Sequence, residues 1–112
     1  MVNQLDATLA ALAEPTRRHV VELLRERPRR SSELAVGAGT SGPAMSRHLR
    51  VLRTCGLVED GRIDGDARVH LYRLRPEPFA VLRAWLEEVE AFWTGQLDAY
   101  RTHVERTRGG RQ

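Results

Sequence analysis

Leu5, Leu9 and Leu12 recur at steps of four and three, a spacing that gathers them into one apolar stripe on a short first helix. Ala13-Glu14-Pro15 interrupts the pattern, and Pro15 suits the first turn of a second helix, where a missing N–H costs nothing. That helix turns Val20, Leu23 and Leu24 inward and Arg17, Arg18, Glu22, Arg25 and Glu26 outward, and Pro28 ends it. Ser31 and Ser32 are N-cap candidates for a short third helix, Ser32 to about Val36, with Leu34 and Ala35 inside. Gly37-Ala38-Gly39-Thr40 reads as a compact turn, because glycine accepts positive φ without penalty. Ser41 then caps a fourth helix with Pro43 in its first turn and Met45, Leu49 and Leu52 as its buried stripe, closed by Gly56.

From Leu57 the period shortens to two. One strand runs from Leu57-Val58 to Ile63 and a second from Arg68 to Leu74, with Asp64-Gly65 as the hairpin turn between them. Pro76 and Pro78 open a final helix over about 79–106. Its stripe is Phe79, Leu82, Leu86, Val89, Trp93, Leu97, Tyr100 and Val104, in heptad-like steps of three and four. At 1.5 Å per residue such a helix is roughly 40 Å long, more than a small domain needs for its own core.

The chain has 112 residues, one domain's worth. A single domain is expected over 1–107, followed by a flexible tail at 108–112. Hydrophobic residues make up 41% and charged residues 29%, which excludes global disorder. No apolar run reaches the ~18 residues of a membrane span, and no signal core follows the N-terminus, so a cytoplasmic protein with no membrane partner is expected. Cys55 stands alone, which excludes an internal disulfide and a Cys-x-x-Cys zinc site. All 18 basic residues are Arg, a bias that a GC-rich coding background also produces. Their distribution is more informative. Residues 1–75 hold 13 Arg against 9 acids and residues 76–112 hold 5 against 6, while 41–54 carry three Arg and no acid. The positive charge is concentrated where a phosphate-binding face would need it.

Two short helices joined by a glycine-containing turn and followed by a hairpin predict a mainly α (α+β) winged helix-turn-helix in the order ααααββα. With Met45, Leu49 and Leu52 buried, the opposite face of the fourth helix carries Gly42, Pro43, Ser46, Arg47, Arg50 and Thr54. Small residues at its N-terminal end permit close approach to bases, and Arg47 can bond a guanine O6/N7 pair bidentately. Arg50 and Arg53 lie further along, where phosphates are the reachable partners. A solvated Arg face on an ordinary amphipathic helix is the bland alternative; the braced turn and the hairpin favour double-stranded DNA as the partner. On the wing, Arg62 and Arg68 flank an acidic tip, Asp64-Gly65-Asp66-Ala67. A plain edge hairpin with balanced charge fits that segment equally well.

These residues resemble a family. Ala13-Glu-Pro-Thr-Arg-Arg, Glu33-Leu-Ala, Ser41-Gly-Pro-Ala-Met-Ser-Arg-His-Leu-Arg-Val-Leu-Arg, Cys55-Gly-Leu-Val-Glu and the later Arg68…Leu71-Tyr-Arg-Leu are similar to the arsenic-repressor (ArsR/SmtB) family. The resemblance runs from about Leu5 to Tyr100. It implies a homodimeric winged-helix transcription factor, usually a repressor released from its operator by a small effector. It also implies base or backbone contacts at Ser41, Pro43, Ser46, Arg47 and His48. Ser31 and Ser32, opening the bracing helix, join the candidate DNA contacts. Gly42 stands where members often carry a polar side chain such as Gln, so one base contact is missing.

The family's metal sites do not transfer. Where metal-sensing members place Cys-x-Cys on the third helix, this chain has Arg30 and Ser32, and a fixed positive charge repels a cation. The last helix offers one His, His103, and its nearest Asp-x-His-like stretch reads Asp98-Ala99-Tyr100, short of the four ligands that zinc prefers. No metal or other cofactor is expected. Phe92-Trp93 resembles the metal-independent branch of the family. His19 and His70 read as surface or half-buried polar residues, and Cys55 as a small structural hydrophobe, with a redox thiol as the rival reading.

The aromatic residues of the last helix can line an effector pocket or form an interface. A dimer seam of Leu5, Leu9 and Leu12 with Leu86, Val89, Trp93, Leu97 and Tyr100 accounts for the length of that helix. Two recognition helices about 34 Å apart would then read an inverted repeat. The expected function is a dimeric repressor at a pseudo-palindromic operator, its own promoter among the candidates, released by a non-metal effector. A winged-helix protein-interaction module and a repressor switched through Cys55 are the alternatives. Enzyme function has no support: there is no nucleophile elbow, no phosphate-cradling glycine loop and no paired acid–base carboxylates.

Overall fold

Among the described residues, ten apolar side chains make one continuous core, and five of them, Val20, Leu34, Met45, Leu52 and Leu57, have no exposed surface at all. The computed structural model describes residues 3–63 and 66–109. The chain divides into two units, Met1–Ala80 and Val81–Gln112. The elements are α1 (Gln4–Leu12), α2 (Pro15–Glu26), α3 (Ser31–Ala38), α4 (Gly42–Thr54), β1 (Val58–Ile63), β2 (Asp66–Leu74) and α5 (Pro76–Gly109). This is the expected ααααββα order of a winged helix-turn-helix.

In the first unit, local chemistry sets most helix starts. The Asn3 side chain accepts from the Asp6 N–H at 2.8 Å, Glu14 from the Arg17 N–H at 2.9 Å and Ser41 from the Ala44 N–H at 3.2 Å. Each satisfies a donor that the first helical turn leaves unpaired. Pro15 and Pro43 both fall in first turns. The start of α3 differs from the expectation. Ser31 and Ser32 lie inside the helix rather than capping it, and the extended residue before it is Arg30. Glu33 reaches back and accepts the Arg30 N–H at 3.2 Å, and the side chain of Arg30 caps none of the first-turn N–H groups.

The turn after α3 is also shorter than the sequence suggested. Gly37 and Ala38 belong to α3, and the helix ends at Gly39, whose φ of 66° is left-handed. There the Gly39 and Thr40 N–H groups donate back to Val36 and Ala35 at 3.2 and 3.0 Å, the pattern that closes a helix on a glycine. Gly37 is needed for another reason: a Cβ there would stand 2.9 Å from the Leu23 side chain. The glycine lets α2 and α3 approach closely.

α1 turns Thr8 and Ala11, not its leucines, into the core; Leu9 is 40% exposed and Leu5 and Leu12 are half-buried. Arg17 and Arg18 do not project freely either. Arg17 Nε donates to the Ala11 carbonyl at 2.7 Å, and Arg18 Nη1 to the Leu12 and Ala13 carbonyls at 2.8 and 3.0 Å. Carbonyls orphaned at the end of α1 are thereby satisfied by cations from the next helix.

β1 and β2 pair antiparallel, from Val58 opposite Leu74 to Arg62 opposite His70, and the register shifts between Arg62 and Ile63. β2 begins at Asp66, two residues earlier than expected, while the Asp64-Gly65 turn lies outside the described residues. The hairpin is joined to the α2–α3 connection by an isolated bridge: the Arg29 N–H donates to the Tyr72 carbonyl at 3.1 Å and the Tyr72 N–H returns to Arg29 at 2.8 Å. Pro78 is fully buried and Phe79 packs on the core, so the first residues of α5 belong to this unit.

The second unit is the remainder of α5, helical as far as Gly109. The helix therefore begins and ends about three residues beyond the expected limits. Within the expected tail, Arg108 and Gly109 are helical, and residues 110–112 lie outside the description. Leu86, Val89, Trp93, Leu97 and Tyr100 are between 46% and 69% exposed.

Candidate DNA-binding interface

The two faces of α4 separate sharply. Met45, Leu49 and Leu52 are buried at 2% exposure or less, whereas Ser41, Gly42, Pro43, Ser46, Arg47 and Arg50 are all exposed. The Ser41 cap and Pro43 begin α4 at a defined residue, so its first turn projects from the turn after α3. Nothing lies within 4 Å of where a Gly42 Cβ would be, so the surface at this end of the helix is open. Among the described residues, neither Arg47 nor Arg50 has a carboxylate within 4 Å, which leaves both guanidiniums available to phosphates or base edges.

The remaining candidates divide. Ser32 is exposed and Ser31 half-buried at the start of α3. Arg53 Nη1 lies 3.7 Å from Asp60 of β1, whose other oxygen is 3.5 Å from His70 Nδ1 on β2. Arg53 is therefore part of the joint between α4 and the wing. Arg62 is exposed on β1. Arg68 belongs to β2 by its backbone, and its side chain lies outside the described residues.

His48 turns away from the exposed face. Its Nδ1 is 3.4 Å from Arg17 Nη1 and 3.8 Å from Glu14 Oε2, so it ties α4 to the start of α2. Burial raises the Glu14 pKa, but the N–H groups of Arg17 and Thr16, the nearby His48 and the Thr16 hydroxyl outweigh it. The net result holds the carboxyl below its ordinary value of 4.5. Glu33 is also held low, first by the Arg30 N–H and then by the Arg27 guanidinium, 2.9 Å away. Sequence reasoning missed the Glu14–Arg17–His48 cluster and the Arg53–Asp60–His70 cluster because each joins residues from separate elements. The local signal for Glu14 was present, since it stands three residues before Arg17 and directly before Pro15.

Cys55 is half-buried at the end of α4, with its thiol 3.4 Å from the Leu52 carbonyl it donates to. Among the described residues, no group of three or more His, Cys, Asp or Glu side chains is placed to hold a metal ion. No described helix is long and apolar enough to cross a membrane.

Residues 14–60, which span α2 to β1, match the model of the bacterial regulatory protein arsR family. Over 100 residues the chain is 43% identical to the HTH-type transcriptional regulator Rv2034 of Mycobacterium tuberculosis, covering 89% of this chain and 88% of that protein. The chain belongs to the arsR family. An ArsR-like transcriptional regulator from Rhodococcus sp. RHA1 has a similar structure, with a TM-score of 0.74, 29% identity and coverage of 88% of this chain and 91% of that one. The homodimeric winged helix-turn-helix DNA-binding domain Mb0332 of Mycobacterium bovis matches with a TM-score of 0.62 at 28% identity, over 79% of each chain. As an arsR-family member the protein is a transcriptional regulator with a DNA-binding helix-turn-helix, not an enzyme. α3 and α4 are the two helices of that motif.

Proposed function

We propose that the protein is a homodimeric repressor that reads an inverted-repeat operator and leaves it in response to a non-metal effector. The observation that carries this reading is the exposed face of α4: an acid-free surface from Ser41 to Arg50 opposite a fully buried apolar stripe. In this reading Ser46 and Arg47 contact base edges, Arg50 contacts phosphate, and Arg62 of the wing contacts the neighbouring backbone. The exposed apolar side chains of α5, together with Leu9 of α1, are covered by a second copy. The homodimeric state of Mb0332 supports that assembly. Arg30 and Ser32, in place of the cysteines of metal sensors, support an effector that is not a metal.

Fluorescence anisotropy on the chain's own upstream DNA and on a scrambled duplex tests the reading, at two salt concentrations and with EDTA or added zinc. A dimer neutralising ~6–10 phosphates should lose about 10³–10⁵ in affinity between 50 and 200 mM salt. Arg47→Ala should cost about 1–3 kcal/mol on the operator and little on the scrambled duplex, while Arg50→Ala should weaken both alike. Equal losses for Arg47→Ala on the two duplexes would place it on phosphate. Release by zinc would overturn the non-metal effector.

A further inference from the structure

An open groove of about 410 Å³ lies within the first unit, where α1 and the start of α2 meet the C-terminal half of α4. Ala7, Ala10 and Val51 give it apolar walls, and two guanidiniums, Arg17 and Arg50, line the same space. A volume of this size falls within the range of small-ligand sites, which combine apolar walls with a few polar groups that set orientation. Arg17 is held in place by its bonds to the Ala10 and Ala11 carbonyls at 3.4 and 2.7 Å. With its further contact to His48, those bonds engage three of its five N–H groups among the described residues. Arg50 is exposed and has no carboxylate within 4 Å among the described residues.

We infer that this groove binds an amphiphilic organic acid, with the carboxylate between Arg17 and Arg50 and the hydrocarbon chain along Ala7, Ala10 and Val51. Two positive charges at an apolar groove with no acid among its lining residues select a ligand that is anionic at one end and apolar at the other. The inference names a site and a ligand class for the effector, and so rests on the repressor reading. The link to DNA is Arg50. A carboxylate that engages its guanidinium competes with the phosphate that the same group would contact. Ligand and operator therefore weaken one another by the same factor.

Isothermal titration of the whole protein with decanoate and with decanol, without DNA, tests the site independently of operator binding. Decanoate should bind saturably, and decanol at least tenfold more weakly. Ala10→Phe, a change at an exposed position that fills the groove, should abolish binding while light scattering shows an unchanged oligomeric state. Arg50→Gln, which leaves the walls intact, should reduce decanoate affinity about tenfold, or roughly 1.4 kcal/mol, and leave decanol unaffected. Where operator binding is established, decanoate should lower it for the wild type and not for Ala10→Phe. No saturable decanoate binding, equal binding by wild type and Ala10→Phe, or a monomeric Ala10→Phe would overturn the inference. The last result would assign the groove to a second copy of the chain.

Discussion

α4 and the outer part of α5 carry the same kind of apolar pattern, with steps of three and four, and meet opposite fates. On α4, Met45, Leu49 and Leu52 vanish into a core shared with Val20, Leu34 and Leu57. On α5, Leu86, Val89, Trp93, Leu97 and Tyr100 remain about half exposed or more. Periodicity states that a helix has an apolar face; it does not state what covers that face. The first unit covers the stripe of α4 itself. The second carries an apolar surface of the kind that soluble chains bury by association, and the proposed dimer supplies the cover.

Substitutions on the two helices should therefore behave differently. Leu52→Ala leaves a cavity in a fully buried site and should cost about 2–5 kcal/mol in denaturant unfolding, independently of protein concentration. Trp93→Ala should remove about 2 kcal/mol or more of association energy if Trp93 anchors an interface. It should shift the protein toward monomer in sedimentation and make its melting temperature more dependent on concentration. A Trp93→Ala protein with unchanged association would leave the α5 stripe to another partner. Ser41→Ala should cost about 1 kcal/mol by unpairing the Ala44 N–H, with a matching loss of operator affinity, since the exposed first turn of α4 frays first.

The smallest effect is in the pH dependence of the first unit. Glu14 and Glu33 have carboxyls held below their ordinary value of 4.5, so each stabilises the fold above that pH. The contribution is lost as pH falls through the lower, folded-state values. Glu14→Gln and Glu33→Gln should each lower stability slightly at neutral pH and converge with the wild type in acid, which flattens the limb below about pH 4.5. An unchanged acid limb would show that neither carboxylate distinguishes the folded from the unfolded chain.

Much of this molecule could be read in one dimension because its signals are local. The Ser41 cap, Pro15 and Pro43 in first turns, the stripe of α4 and the two strands all depend on residues within a few positions of each other. The exposed residues from Ser41 to Arg50 followed from the same periodicity, once three positions of α4 were assigned to the core. Local reasoning erred where two local solutions compete. Ser31 and Ser32 are good caps, yet the cap position falls on Arg30, whose N–H is taken by Glu33. Gly37 suits a turn, yet serves as the point of contact for Leu23.

Tertiary structure alone decided which groups meet across elements. It turned Thr8 and Ala11 of α1 inward, drew Arg17 over the end of α1 and onto His48, and paired Arg53 with Asp60. It also joined Arg29 to Tyr72, fixing the wing to the α2–α3 connection. None of these pairings has a short-range signature, because an arginine reaches whatever carbonyl, imidazole or carboxylate the packing brings within a few ångströms. Apolar periodicity dictated the helices and the inward faces of α2, α3 and α4; the inward face of α1 and the destination of each long polar side chain waited on how those helices packed.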